Sequence, residues 1–428
     1  MRPHLAIVGA GWAGLAAAVR GVQAGFQVSV FEMSHHPGGR ARSLDNRPDA
    51  LDNGQHILIG AYTRTLALMR ELGAGPAVLL HRMPLALRFP DGAGLALAAG
   101  TPAWSLLMGI ARFAGTSVRE RWSLTRHALG WAARGFRCDE TLTVDALCAG
   151  MAPRMRELLI DPLCVAAMNT HARGASAGVF LRVLQDALLG GAGSADLLLP
   201  RRPLSELLPQ PARQWLAQHG AAWLSGTRVQ QVRRERDGWH VDGQAFDAVL
   251  LACSSTEAAR LAQDVAPAWA QDAAALRFEP IVTVYVQADG ARMPSAITAL
   301  HEGPQAPAQF VFDHGQLGTC AGRFACVVSG AQRWVDAGMA ATEQAVLAQL
   351  RDAFPAGTWP HAPKVLRSVA EKRATFRCTP GLRRPPSHVA PGLMAAGDYV
   401  DGPYPATLEG AVRSAEQAIA NLLQTHAD

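Results

Sequence analysis

Lysine is nearly missing from this 428-residue chain: it occurs only at Lys364 and Lys372, although Lys and Arg together number 40. The formal net charge of +5 is therefore carried almost wholly by arginine, an excess that suits anionic lipid or a merely solvated surface. No basic run is interleaved with aromatics, so nothing argues for nucleic acid as a partner. CxxC pairs are missing too, and the seven cysteines are odd in number. That argues against a disulfide framework or a zinc site and for inert thiols in a reducing compartment. The apolar windows fall short of the roughly 18 residues that a spanning helix needs. A strand is entered by about His4, which leaves no room for a signal peptide. The expected location is cytoplasmic, free or peripheral on the inner face of the membrane. Internal repeats and low-complexity tracts are lacking. Neither a Ser-His-acid arrangement nor a metal-ligand spacing is visible, so no metal is expected and the hard chemistry falls to a cofactor.

Apolar residues make up 49% of the chain, enough for a large core, and the length suits two or three structural units. The stretch from His4 to Glu32 organises the rest. Leu5 to Val8 is a short apolar run cut off by glycine, the pattern of a buried parallel strand. Gly9, Gly11 and Gly14 follow in GxGxxG spacing. The first permits a tight turn, the second lets backbone approach a pyrophosphate, and the third lets a helix pack on the strand. That helix is expected from Ala13 to Ala24, with Leu15, Ala18, Val19 and Val22 inward and Gly25 as its cap. Its start, Ala13 with Trp12 just before it, offers free N–H groups and a positive dipole end to an anion. A second strand, Gln27 to Phe31, ends in Glu32, whose carboxylate can hold both ribose hydroxyls and would repel a 2′-phosphate. The unit is a site for FAD or NAD, not NADP.

The next stretch, MSHHPGGRARS, favours FAD: Gly38 and Gly39 follow the second strand, and Arg40 and Arg42, on either side of Ala41, are available to phosphate. Near the other terminus, Leu393 to Ala396 reads as a strand and Gly397 with Asp398 as its turn. Pro405 or Ala406 opens a helix that carries Leu408, Ala411, Val412, Ala415, Ile419 and Leu422 on one side. Asp398 is placed to accept from ribityl hydroxyls. The helix start at Ala406 and Thr407 can point N–H groups at the pyrimidine edge of a flavin.

Together these ends resemble the flavin-dependent amine oxidase and phytoene desaturase superfamily and, within it, the hydroxysqualene dehydroxylase family. The resemblance is carried by GAGWAGLAAA, PGGRARS, LDNGQHILIGAY from Leu51 to Tyr62, and AGDYVDGPYPATLEGAVRSA from Ala396 to Ala415. It implies an α/β fold with a Rossmann-like FAD-binding domain built from residues 1–80, 204–278 and 380–428. A substrate domain of mixed sheet and helices, residues 81–203 and 279–379, is inserted into it. It also places Asn53, Gly54, Gln55 and His56 near the flavin and the Val229 backbone at the adenine. The implied reaction replaces the allylic hydroxyl of hydroxysqualene by hydrogen, with hydride from N5 of reduced FAD quenching a delocalised cation. His56, Asp401 and Tyr404 are the candidates for helping water leave. Two other readings stay open: a carotenoid-type desaturase running hydride from C–H to oxidised FAD, and a non-catalytic prenyl-binding escort. The partner is in each case an isoprenoid lipid, and no motif names an electron donor.

Between the two ends, residues 80–195 read as largely helical. Trp104 to Phe113 puts Leu106, Leu107, Ile110 and Phe113 near one face, with Arg112, Arg119 and Arg121 able to meet headgroups; this is either a membrane contact or a buried helix. Ala177 to Leu189 aligns Val179, Phe180, Val183, Leu184, Ala187 and Leu188 as a tunnel wall or a core stripe. GGAG at 190–193, with Pro200 and Pro203, marks a crossing. Arg228 to Val232 and Trp239 to Val241 flank an Asp237-Gly238 turn, and Phe246 to Ala252 is another buried run. Pro280 to Ala288, Gln309 to Asp313 and Arg323 to Ser329 read as strands of a second sheet, Thr342 to Phe354 as a helix, and Lys364 to Phe376 as the return.

Overall fold

A computed structural model describes residues 2–98, 102–236 and 238–427. The fold is α/β, with a six-stranded mixed sheet and a second, five-stranded antiparallel one. Its first sheet is centred on His4–Val8, with Gln27–Glu32 and Ala248–Leu251 parallel on either side. Ala222–Ser225 extends it beyond Gln27–Glu32, and Leu393–Ala395 extends it beyond Ala248–Leu251, both parallel. His388–Ala390 closes that edge antiparallel. Both faces are covered. Leu5, Ile7, Val28, Val30 and Leu250 enter one apolar cluster, while Val8, Phe31, Val249 and Leu251 enter another, which is why these strands read as unbroken apolar runs.

Two helices cover the first of these faces. Trp12–Gln23 follows the glycine turn, and Leu408–Ala427 packs along it. In the latter, Val412, Ile419 and Leu422 are buried, each worth roughly 1.5–3 kcal/mol of transfer free energy. Gly14 is where helix and turn touch: a Cβ there would lie 1.9 Å from the Gly9 carbonyl oxygen.

The second sheet runs in the order Ile297–Ala299, Phe310–Asp313, Arg323–Val328, Phe278–Gln287, Lys364–Phe376, all antiparallel. Alternation divides its faces. Val282, Val284, Val286, Val311, Phe324, Cys326 and Val328 pack with Val346 and Leu350 of the helix Met339–Ala353. Ile281, Phe310, Phe312, Val327 and Val369 point the other way, toward the cavity described below.

Several expectations need correction. Residues 80–96 are strands rather than helix: Leu80–Met83 pairs with Leu197–Pro200, and Ala86–Arg88 with Gly94–Ala96. Pro90-Asp91-Gly92 makes the tight turn of that hairpin, with Phe89 N–H bonded to the Ala93 carbonyl. The strand expected at Arg228 to Val232 lies at Val232–Glu235 and pairs with Gly238–Val241; Asp237 falls outside the described residues. Ala177–Leu189 is a helix, but its buried residues are Ala177, Phe180 and Leu181, and none of it lines the cavity. A different helix, Asp161–Met168, forms that wall. It follows a π-helical turn, Arg156–Ile160, and ends at Asn169 in the left-handed region. Ile110 and Phe113 are core residues while Leu107 is exposed, so the face proposed for Trp104 to Phe113 is divided between interior and surface.

Candidate active site

A cavity of about 530 Å³ opens between the carboxyl ends of the first sheet's strands, one face of the second sheet, and the helix Asp161–Met168. Its position outside strand ends is where ligands of open α/β sheets bind. Gly9, Gly11, Trp12, Ala13, Glu32, Gly38, Gly39, Arg40, Ala41, Asn53, Gly54, Gln55, His56, Val229, Gly397, Asp398, Ala406 and Thr407 all reach its wall, brought together from both termini. Gly14 lies behind the wall as a packing residue. Arg42, Asp401 and Tyr404 are outside the lining.

One end of the cavity is polar and built from backbone. A Cβ on Gly11 would meet nothing within 4 Å, and one on Gly39 would come within 3.2 Å of the Gly11 Cα, so the wall here is stripped to main chain. The helix that begins at Trp12 has no side-chain cap, which leaves its first N–H groups for an anion. Glu32 is buried and accepts from Ala10 N–H at 2.7 Å and Ser34 N–H at 2.8 Å, which fixes a carboxylate that still has lone pairs for hydroxyl donors. Trp12 Nε1–H donates to the Ala41 carbonyl at 2.8 Å and locks the glycine turn to the Gly38-Gly39 segment. Cys253, Ser254, Ser255 and Glu257, at the end of Ala248–Leu251, complete this end with Thr227 and Arg228.

Arg40 lines the cavity and is held there by protein partners. It pairs with Asp398 and donates to the carbonyls of Ala374 at 2.7 Å and Arg373 at 3.2 Å. Burial opposes its charge, and the Asp398 carboxylate, seconded by Glu371, outweighs that cost. Asn53 Nδ2–H₂ bridges the Arg40 carbonyl (2.9 Å) and Glu371 Oε2 (3.1 Å). The two termini are thus stitched together by charge across one cavity. Arg42 donates to the Ser43 carbonyl at 3.4 Å.

His56 donates from Nδ1 to the Gly54 carbonyl at 2.9 Å, which leaves Nε2 as an acceptor. Burial, reinforced by Arg40, holds its pKa below the usual value, so the ring is neutral near pH 7. Gln55 is anchored by its N–H on Thr283 Oγ1 (3.3 Å) and by His314 at its side-chain oxygen (3.0 Å). Two hydroxyls on the lining have no partner among the described residues: Ser255 Oγ and Tyr399 OH, on residues 2 and 3% exposed. Burial raises the Tyr399 phenol well above its ordinary range. The backbone cradle, the uncapped helix, the fixed acid and these two unpaired hydroxyls fit an adenine dinucleotide with a polar middle.

The other end is apolar. Val165, Ala166 and Ala167 face Phe278, Ile281, Phe310, Phe312, Val327 and Val369 across the cavity. Asn169 ties helix to sheet through the Glu279 carbonyl, Thr375 Oγ1 and the Gly330 N–H, at 3.0, 3.0 and 2.7 Å. Sequence reasoning missed this end, although FVFD at 310–313 carries the alternation that marks a two-faced strand. Asp401 is 70% exposed at its side chain and pairs with Arg384, whereas Tyr404 lies under the Arg413 guanidinium, 4.8 Å from the ring centroid. Cys253 is on the wall, but burial pushes its thiol up to about 12; Cys378, also raised to about 12, is off it.

The chain is similar to hydroxysqualene dehydroxylases of Sinorhizobium fredii (27% identity over 98% of each chain) and Rhodopseudomonas palustris (28% over 96% of each). A zeta-carotene desaturase of a Synechocystis species is 39% identical over 72 residues, 17% of this chain and 15% of that one. Among solved structures, an oxidoreductase from Methanosarcina mazei superposes with a TM-score of 0.74 at 17% identity, covering 97% of this chain and all of the other. Residues 12–423 match the family described as flavin containing amine oxidoreductase. Glycine turn, ribose acid and terminal helix therefore share one cavity because the chain belongs to that family and is an FAD-dependent oxidoreductase.

Proposed function

We propose that this protein reductively dehydroxylates hydroxysqualene to squalene at the cytoplasmic face of a membrane. Residues 1–80, 204–278 and 380–428 hold FAD in this reading, and residues 81–203 and 279–379 hold the isoprenoid. The observation that carries it is the apolar, phenylalanine-lined half of a cavity whose polar half suits a dinucleotide. Two full-length relatives named for that reaction support the choice of substrate.

In this reaction the C–O bond of an allylic alcohol breaks as its oxygen takes up one proton, drawn from bulk water, giving water and a delocalised cation that a hydride then closes. FAD, when bound in its reduced form, supplies that hydride equivalent. The chain's own residues do the rest. Val165, Ile281, Val327 and Val369 exclude water from the hydrocarbon, and Phe278, Phe310 and Phe312 supply aromatic surface to a passing positive charge. Neutral His56 orients the hydroxyl by accepting from it at Nε2, because an imidazolium is disfavoured at this buried site. Asp401 and Tyr404, held by Arg384 and Arg413, act only by shaping the loop ahead of the flavin helix.

Anaerobic incubation of the reduced protein with hydroxysqualene tests this. Reoxidation of the flavin absorbance with stoichiometric squalene is expected. Desaturation of phytoene by oxidised protein, with no squalene from hydroxysqualene, would replace the reading with a carotenoid-type desaturase. A purified protein that stays colourless and takes up no FAD would leave only an escort.

A further inference from the structure

The segment from 102 to 138 contains six arginines (Arg112, Arg119, Arg121, Arg126, Arg134 and Arg137) against a single acid, Glu120. It thereby holds the whole of the chain's formal excess of +5, and the remainder is balanced. Two helices form most of it, Pro102–Ala111 and Val118–Ala133, packed on each other. On this same segment Trp104, Leu107, Val118, Trp122 and Leu129 stand 58, 52, 76, 64 and 61% exposed. Val118, Trp122 and Leu129 fall within about 40° of one another around their helix, while Leu124 and Trp131 occupy its buried side.

An exposed stripe of tryptophan and aliphatic side chains flanked by arginine has the composition of a helix that lies in a bilayer interface. The indoles sit at headgroup depth and the guanidinium groups reach lipid phosphates. Among the described residues no helix is long and apolar enough to cross a membrane, so contact would be from one side. The stripe is also joined to the cavity. Ser123 Oγ accepts from Ala152 N–H at 3.0 Å, and His127 Nε2 meets the Ala149 carbonyl at 3.3 Å. Residues 149–152 lead through the short helix Pro153–Met155 into the π-helical turn and the helix Asp161–Met168 that walls the apolar chamber.

We propose that the helices Pro102–Ala111 and Val118–Ala133 seat this protein on an anionic lipid bilayer, with Trp104, Leu107, Val118, Trp122 and Leu129 entering the headgroup layer. The surface differs from the one read off the sequence, since Ile110 and Phe113 belong to the core. The proposal holds for any lipid-borne substrate and does not depend on the dehydroxylation.

The test is co-sedimentation of the FAD-loaded full chain with vesicles of phosphatidylcholine alone and with about 30% phosphatidylglycerol. Binding to the anionic vesicles, with a blue shift of tryptophan emission and release at about 0.5 M salt, is expected. Trp122→Glu combined with Leu129→Glu should weaken that binding at least about tenfold while flavin spectrum and melting temperature stay unchanged. Arg119→Gln with Arg126→Gln should weaken it about tenfold and flatten the salt dependence. Failure to bind anionic vesicles overturns the proposal, as does undiminished binding by the Trp122/Leu129 variant. A loss of self-association in that variant, without any vesicle binding by the parent, would assign the stripe to contact between copies of the chain instead.

Discussion

Glu409 shows how much a single buried carboxylate holds. It is fully buried in the first turn of the C-terminal helix and accepts from Arg64 N–H, Thr65 N–H, Thr65 Oγ1–H and Arg413 Nε–H at 2.7–3.0 Å. It therefore caps the helix Thr63–Glu71, which has no side-chain cap of its own. Glu409→Ala strands those donors and should cost about 3–5 kcal/mol in urea unfolding, with Glu409→Gln costing less. Tyr399 is the opposite case, a donor lacking an acceptor among the described residues. If bound FAD completes it, Tyr399→Phe weakens FAD affinity about tenfold in a fluorescence titration. The apoprotein melts no lower, because the variant removes an unpaired hydroxyl. A lower apoprotein melting temperature with unchanged affinity would make the group structural. Asp52 and His314 form a pair of opposed titrations. Burial raises Asp52 to about 7, against the bonds from Leu204 N–H and Ser43 Oγ–H, and burial, aided by Arg323, lowers His314 to about 4. Asp52 thus binds more protons folded than unfolded and gives up stability as pH climbs from about 4 to 7; His314 binds fewer and adds stability from about 4 to 6.5. Asp52→Asn should leave a midpoint in urea that rises with pH over that window relative to the parent, and His314→Gln one that falls.

At the scale of single elements, the helix Asp161–Met168 decides what shares the cavity with the cofactor. Its Val165, Ala166 and Ala167 are small or branched, and they leave room in front of the phenylalanines of the second sheet. Ala167 is only partly buried, so a larger side chain there can be accommodated by the helix while narrowing the chamber. Ala167→Phe should cut squalene formation at least about tenfold while the flavin spectrum and FAD affinity stay as they were. An equal loss of FAD affinity would mean that the helix borders the cofactor rather than the hydrocarbon. Phe278–Gln287 works by the same alternation. Its valines at 282, 284 and 286 bind it to the helix behind, and Ile281 and Thr283 are left for the site.

For the molecule as a whole, the first sheet is assembled from strands some 390 residues apart in sequence. Removing residues 380–428 deletes its last two strands and the helix that covers Leu5, Ile7 and Val28. The shortened chain should retain no flavin absorbance after gel filtration and should be cut rapidly by protease, since the exposed sheet face has no replacement cover. Retention of FAD by that fragment would show that the N-terminal turn suffices for binding.

Much of this organisation is legible residue by residue. The glycine turn, the acid at Glu32, the helix after each terminal strand and the short strands of the second sheet were readable because turn chemistry and periodicity act over a few neighbouring residues. Glu32 needs only to close its strand, and the positive φ of Gly9 only a missing Cβ. Of the two readings of Ala177–Leu189, the core stripe holds for Val179, Phe180 and Leu184 and the tunnel wall fails, for the complementary reason. An apolar stripe fixes which side of a helix turns inward and says nothing about which surface will meet it. Arg40 pairs with Asp398, 358 positions away, a contact that no local spacing announces. Asp401 and Tyr404, close to the flavin helix in sequence, lie off the cavity lining. Local pattern thus determined the cofactor class and most of the elements, though not the strands between residues 80 and 96. The packing of those elements alone decided the cavity's apolar half, its unpaired hydroxyls and the exposed tryptophan stripe, since pairing over hundreds of residues leaves no trace in the spacing of any one segment.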